Sequence, residues 1–283
     1  MTFFRSRWVD APGHVTELDP HGLPAGFRAA GVAAGIKREG LDVGVVASSE
    51  AGTVSAARFT TNARVGAPVM VSREAALDRL RAVVANSGCS NVGDGPRGVE
   101  TALAMQAAAA EELGVEPGQV AVASTGVIGT ELPRDPVVGG VRAACAALGD
   151  DAEDFSHAIL TSDAGPKRAC LEVKLPSGTV RLAAQAKGAG MISPRFATMF
   201  CFIQTDAAVE QHTLDLLTGV CVQRSFDRIS VDGQLSTSDT VVALASGASG
   251  VRIEPESPDE LALGEALDAL LRQLALEIVH DGE

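Results

Sequence analysis

Apolar residues along this chain come mostly in short unbroken runs. After Gly31 the runs LDVGVVAS, VSAARFTTN, APVMVSRE and LRAVVANSG follow one another, each bounded by Gly, Asn or Ser. They read as strands of a buried sheet. The period then changes. In VETALAMQAAAAEELG, Ala and Leu recur at helical spacing, Glu111 and Glu112 take the solvent side, and Gly114 stands near the stop, which predicts an amphipathic helix. QVAVASTGVIG predicts a strand running straight into a Gly-containing turn that presents backbone N–H groups, and DPVVGGVRAACAALG predicts a second helix.

DFSHAILTSD is a helix or a strand ending in polar residues. RACLEVKLPSGTVRLAAQAKG reads as a hairpin turned at Pro176, Ser177 and Gly178, and ATMFCFIQTDA as a nearly continuous buried strand. The last third predicts a helix (LDLLTGVCVQRSF), a polar turn with a strand (ISVDGQLSTSDTVVALASG), an acidic loop, and a closing helix (DELALGEALDALLRQLALEIVHDGE). Up to about Leu23, Pro12, Gly13, Pro20 and Gly22 break regular structure and predict a surface arm. This mixture predicts an α/β fold of layered sheets covered by helices.

Composition narrows the function. With 46% hydrophobic and 21% charged residues the 283-residue chain falls among globular proteins. A formal charge of −13 without any basic cluster argues against nucleic acid as a partner. The start, MTFFRSRWVD, lacks a signal-peptide core, and no run approaches the ~20 apolar residues of a membrane span. No membrane association and a cytoplasmic location are therefore expected. The five cysteines (Cys89, Cys145, Cys170, Cys201, Cys221) include no C-x-x-C pair and predict reduced, mostly buried thiols. No metal site is expected: Asp232 and Asp239 do not fit the EF-hand spacing and read as turn caps. Lysine is confined to Lys37, Lys167, Lys174 and Lys187. The absence of G-x-G-x-x-G and of a P-loop speaks against a bound nucleotide, and no cofactor is expected.

Chemistry concentrates in KGAGMISPRFATMFCFIQTDA, from Lys187 to Ala207. Taken alone this is a Gly-rich turn, a Pro-ended loop and a strand, and Thr198 is a β-branched residue suited to that strand. The segment resembles the hallmark of the ornithine acetyltransferase family, K-G-x-G-M-x-x-P-x-x-A-T-M closing in T-D-A. Other passages agree in order: GIKREGLDVGVV, ARFTTN, APVMVSRE, ANSGCSN, VASTGVIG, AILTSDAGPK, SVDGQLSTSDTVVALASG and the final DGE. The resemblance runs from Gly31 to Glu283. Arg195 and Phe196 stand where the family more often has Asn and Met, and Ser162 where it has a second Thr.

That resemblance implies an N-terminal-nucleophile-like fold of the ornithine acetyltransferase/aminopeptidase type, and a chain that cuts itself between Ala197 and Thr198. Residues 1–197 would form an α-chain segment, with an arm over 1–30 and then the main α/β domain. Residues 198–283 would begin a β-chain segment completing the same fold, with the family's C-terminal part absent from this sequence. The freed α-amine, of unperturbed pKa ~7.7–8.0, would serve as base for the Thr198 hydroxyl. No histidine is needed for this, and the five histidines show no triad-like context. Thr198 would take acetyl from N-acetylornithine and pass it to glutamate, an acyltransferase step of arginine biosynthesis. Thr125 and Gly126 would hold the oxyanion, and Thr161, Lys187, Thr198 and Glu283 would contact substrate. Without the family, Thr125 and Gly126 are a tight turn after a strand, Lys187 a surface lysine, Thr161 an element terminus and Glu283 a frayed end.

The resemblance also implies an αβ heterodimer of self-cleaved chains within a higher oligomer, and small molecules as the only other partners. Whether acetyl-CoA is a second acetyl donor is left open by the sequence, as are a Thr-nucleophile amidase or aminopeptidase of the same fold and an inactive shortened relative.

Overall fold

The computed structural model describes residues 2–194 and 199–282. Its strands are β1 (Val15–Glu17), β2 (Phe27–Val32), β3 (Val43–Ser48), β4 (Val54–Phe59), β5 (Ala82–Asn86), β6 (Val120–Ser124), β7 (Lys167–Leu175), β8 (Gly178–Lys187), β9 (Phe200–Thr205), β10 (Ala208–Val209), β11 (Thr240–Ala245) and β12 (Arg252–Ile253). Its helices are α1 (Ala67–Arg73), α2 (Pro96–Leu113), α3 (Arg134–Ala146), α4 (Glu153–Ala158), α5 (Gln211–Arg224) and α6 (Pro258–His280). A six-stranded sheet runs β1-β7-β8-β9-β11-β4 and a four-stranded sheet β2-β3-β5-β6, with β10 and β12 forming a small parallel pair.

The unbroken apolar runs have a simple cause: both large sheets are covered on both faces. Along β5, Ala82 and Val84 enter one core with α2 and α3, while Val83 and Ala85 point to the other sheet. Along β9, Cys201 and Ile203 join the core under α5 and α6, whereas Phe200 and Phe202 face the middle of the molecule. The order is therefore helices, four-stranded sheet, central apolar seam, six-stranded sheet, helices, which is the layered α/β architecture expected. In the central seam Phe155 and Phe202 lie with ring centroids 5.6 Å apart. Helix α4 reaches this seam over two glycines paired across β2 and β3, Gly31 and Gly44. A Cβ on Gly44 would come 2.7 Å from Phe155, and one on Gly31 would strike the Asp154 backbone.

Helix α2 ends as expected, with Gly114 left-handed (φ 64°). Helix α6 starts at Ser257, whose hydroxyl accepts the Glu260 N–H. The hairpin of β7 and β8 turns at Pro176 and Ser177. Two expectations are corrected. APVMVSRE is not a strand but α1: Pro68 opens it, and Ala67 and Val71 pack into the core with α2. Its Ser72 hydroxyl donates to the Val122 carbonyl and accepts the Val122 N–H, both at 2.8 Å. Strand β6 is the edge of its sheet, so the helix occupies the place of a fifth strand and seals that edge. The arm up to Leu23 is not wholly irregular, because β1 pairs antiparallel with β7 and Val9 and Leu23 are buried.

The cysteines are free, and all but the half-buried Cys145 are buried. Among the described residues no helix is long and apolar enough to cross a membrane.

Candidate active site

Strands β5 and β6 run parallel, and the turns that follow them press together at their carboxyl ends. Gly126 carries φ 127°, and a Cβ there would collide with the Gly88 carbonyl and come 2.7 Å from Cys89 N. Only glycine permits this approach. The Thr125 N–H donates to Asn86 C=O at 3.0 Å and the Val127 N–H to Gly88 C=O at 3.3 Å. The Gly126 N–H makes no hydrogen bond among the described residues.

These turns form one wall of a cleft of about 560 Å³ lined by Lys37, Gly88, Thr125, Gly126, Thr161 and Lys187, with Met191, Asp232 and neighbours closing it. Four residues singled out in the sequence, Thr125, Gly126, Thr161 and Lys187, thus share one cavity. Lys187 is not on the surface: its side chain is 3% exposed. Its ammonium donates to Thr161 Oγ1 at 2.7 Å and to Thr125 Oγ1 at 3.4 Å, and stands 3.6 Å from Asp163 Oδ2. Burial pushes the Lys187 pKa down, with the Lys167 charge adding to that, while Asp163 and Asp239 oppose it.

Sequence reasoning missed what holds Lys187 there. Asp163, with its side chain fully buried, accepts the Gly188 N–H at 2.6 Å and the Lys167 ammonium at 2.9 Å. Burial alone would raise its pKa, but the ammonium groups of Lys187 and Lys167 and the Gly188 N–H outweigh this and hold it at about 2. Lys167 also pairs with Asp281, just past the end of α6, whose carboxylate accepts the Ala164 N–H. Lys37 was likewise passed over. Its stem packs over Gly88, its ammonium donates to Leu160 C=O at 3.2 Å, and burial lowers its pKa. Asp163 and Lys167 pair four residues apart, but their partners Gly188, Lys187 and Asp281, like Leu160 for Lys37, lie far away along the chain.

Ala197, Thr198 and Glu283 lie outside the described residues. The chain that follows Thr198 is well placed in the sheet: Phe200 opens β9 opposite Lys187 of β8 and beside Thr240 of β11. Asp232 behaves as the expected cap, accepting the N–H groups of Gln234, Met191 and Ile192. Asp239 departs from that expectation. It is fully buried and accepts the Met199 N–H at 3.0 Å. Cys89 is a buried thiol, as expected, donating to Thr130 C=O.

The sequence profile of the ArgJ family matches residues 28–283. The chain belongs to the ArgJ family. The arginine biosynthesis bifunctional protein ArgJ of Symbiobacterium thermophilum is 45% identical over a 266-residue alignment that covers 92% of this chain and 66% of that protein. The chain thus spans just under two thirds of that ArgJ relative's length. Among solved structures, the ornithine acetyltransferase of Mycobacterium tuberculosis, complexed with ornithine, is 35% identical with a TM-score of 0.58, covering 64% of this chain and 98% of its own. An L-aminopeptidase D-Ala-esterase/amidase of Ochrobactrum anthropi, described as a variant of the Ntn hydrolase fold, superposes over 95% of this chain and 90% of its own with a TM-score of 0.54 at 11% identity, a likeness of fold alone. The layered α/β architecture of this ArgJ-family chain is thus shared with the ornithine acetyltransferase structure and, as a fold, with that aminopeptidase.

Proposed function

We propose that this chain carries the acetyl-transfer centre of a glutamate N-acetyltransferase, moving acetyl from N-acetylornithine to glutamate through Thr198 after self-cleavage at Ala197–Thr198. The observation that carries this reading is the convergence of Thr125, Gly126, Thr161 and Lys187 on one cleft beside the start of β9. The ornithine complex of the M. tuberculosis relative and the arginine-biosynthesis role in the S. thermophilum relative's name support the substrate class, and its description as bifunctional supports a second activity.

In the first half-reaction the neutral α-amine of Thr198 takes the proton of its own hydroxyl as Oγ attacks the acetyl carbonyl. Charge collects on the carbonyl oxygen. The Thr125 hydroxyl and the unpartnered Gly126 N–H are its donors, and loss of one such donor typically costs ~10²–10³ in rate. Collapse returns the proton to the departing ornithine amine and leaves an acetyl ester on Thr198. Glutamate then repeats the sequence in reverse, giving ping-pong kinetics. Lys187 and Thr161 bind the substrate's carboxylate end, with Glu283 as a further substrate contact. We assign the second activity to loading of the same threonine from acetyl-CoA; no resident cofactor takes part.

The sheet order accounts for how a cut chain would stay together. Residues 1–197 supply β1, β7, β8 and β4, and residues 198–283 supply β9 and β11 in the middle of the same sheet, so the two segments form an interleaved αβ heterodimer.

The test is to incubate the enzyme with N-acetylornithine, with and without glutamate. This reading predicts acetyl transfer that requires glutamate and yields N-acetylglutamate. Acetyl released to water at the same rate without glutamate would contradict it and favour an amidase.

A further inference from the structure

Asp239 has no role in the reading above, yet it is fully buried beside the cleft. Its Oδ1 accepts the Met199 N–H at 3.0 Å, and the N–H of the next residue, Thr240, donates to the Met199 carbonyl at 3.2 Å. Both polar groups of Met199 are thereby held by the first residue of β11 and the residue before it. The second carboxylate oxygen, Oδ2, has no hydrogen-bond partner among the described residues. The hydroxyls of Ser236 and Thr60 lie near and favour the charged form without completing a hydrogen bond to Oδ2; that of Thr60 donates to Ser236 C=O at 2.6 Å. Lys187 from β8 faces Asp239 as a charge, with Asp163 and Lys167 behind it, and Arg73 from α1 donates to Thr60 C=O. Burial pushes the Asp239 pKa well above the usual carboxylate range, against the favourable effects of the Met199 N–H, Ser236, Thr60 and Lys187.

A buried acceptor without a donor is costly, and its persistence calls for a reason. Covalent geometry supplies one. The α-nitrogen of any residue lies three bonds from the amide nitrogen of the next, about 2.7–3.6 Å away. An amine on Thr198 therefore falls beside the very atom that Asp239 already holds. We propose that Asp239 is a positioning residue whose Oδ2 receives the α-ammonium created at Thr198 by cleavage, fixing that amine against its own hydroxyl. This rests on the self-cleavage reading. In the uncleaved chain the Thr198 nitrogen offers one amide hydrogen; after cleavage, when protonated, it offers three. The carboxylate keeps its charge throughout, and the proton passes between Oγ, the amine and the leaving group.

The experiment compares self-cleaved wild-type enzyme with Asp239→Asn, scoring cleavage on denaturing gels and following kcat/KM for N-acetylornithine against pH. Asn keeps an oxygen for the Met199 N–H and removes the charge. The amine must be neutral to act, so loss of the neighbouring carboxylate lowers its pKa and moves the acid limb down by about one pH unit or more. A limb in the variant within about 0.3 unit of wild type overturns the proposal. Wild-type enzyme that stays uncleaved defeats the parent reading instead.

Because Asp239 is buried, a second measurement leaves it in place. In [13C]aspartate-labelled protein, one carboxyl titrates at an elevated pH in the uncleaved Thr198→Ala chain and falls by about one unit or more in cleaved wild type, where the ammonium faces it. Indistinguishable titrations in the two chains overturn the proposal even if Asp239→Asn does not fold.

Discussion

Replacing Asp163 with Asn probes the electrostatic floor of the cleft. The wild-type carboxylate sits between Lys187 and Lys167, whose side chains are 3% and 5% exposed, and is itself fully buried. Its pKa falls from 3.8 to about 2, which corresponds to roughly 2 kcal/mol of stabilisation of the charged form. Asn leaves two buried ammonium groups facing each other, with Asp281 at Lys167 and the more remote Asp239 near Lys187 as the remaining anions, and breaking a buried ion pair from one side typically costs about 3–5 kcal/mol. A chain of this size loses roughly 2–4 °C of Tm per kcal/mol, so a fall of about 6–20 °C is expected. The measurement is thermal unfolding at neutral pH, alongside the double variant Asp163→Asn/Lys167→Met. The double variant removes one of the stranded charges and recovers a large part of the loss. A Tm for Asp163→Asn within about 2 °C of wild type, or a double variant less stable than the single, refutes the argument that Asp163 compensates both lysines.

Other consequences follow from the same geometry. Stability should respond to acid through Asp163: its folded-state pKa is depressed, so its contribution is complete above pH 3.8 and is lost as pH falls toward about 2, and denaturation of wild type and Asp163→Asn should converge across that window. Ser72→Ala strands both the N–H and the C=O of Val122 at the sheet edge and should cost about 1–3 kcal/mol in urea unfolding; a loss below ~0.5 kcal/mol would show that the edge is satisfied some other way. Gly126→Ala forces a Cβ into the Gly88 carbonyl at a φ of 127° and should lower kcat by ~10² or more, since the displaced N–H is the proposed oxyanion donor; unchanged kcat in a folded variant would remove Gly126 from the site.

The strands were legible because burial on both faces leaves mostly apolar runs with no exposed position, and β3, β5, β6, β9 and β11 all have that character. APVMVSRE was misread for a related reason: Val69 and Val71 carry strand preference, and the choice of helix comes from Pro68 and from the pairing of Ser72 with Val122, 50 residues away. Thr125, Gly126, Thr161 and Lys187 could be named from the family's wording, but their convergence is a property of the fold. The burial of Lys187 is invisible locally, since a lysine before a glycine turn reads as surface. Asp163 and Asp239 escape for the same reason: each is defined by a backbone N–H far along the chain, Gly188 at 25 residues and Met199 at 40.

The central claim is that Thr198 becomes a new chain terminus. Denaturing electrophoresis of the purified native gene product, with N-terminal sequencing of each band, tests it directly. Two fragments are predicted, the second beginning Thr-Met-Phe, with a single band for Thr198→Ala. One intact band in a preparation that transfers acetyl at full rate would contradict the account.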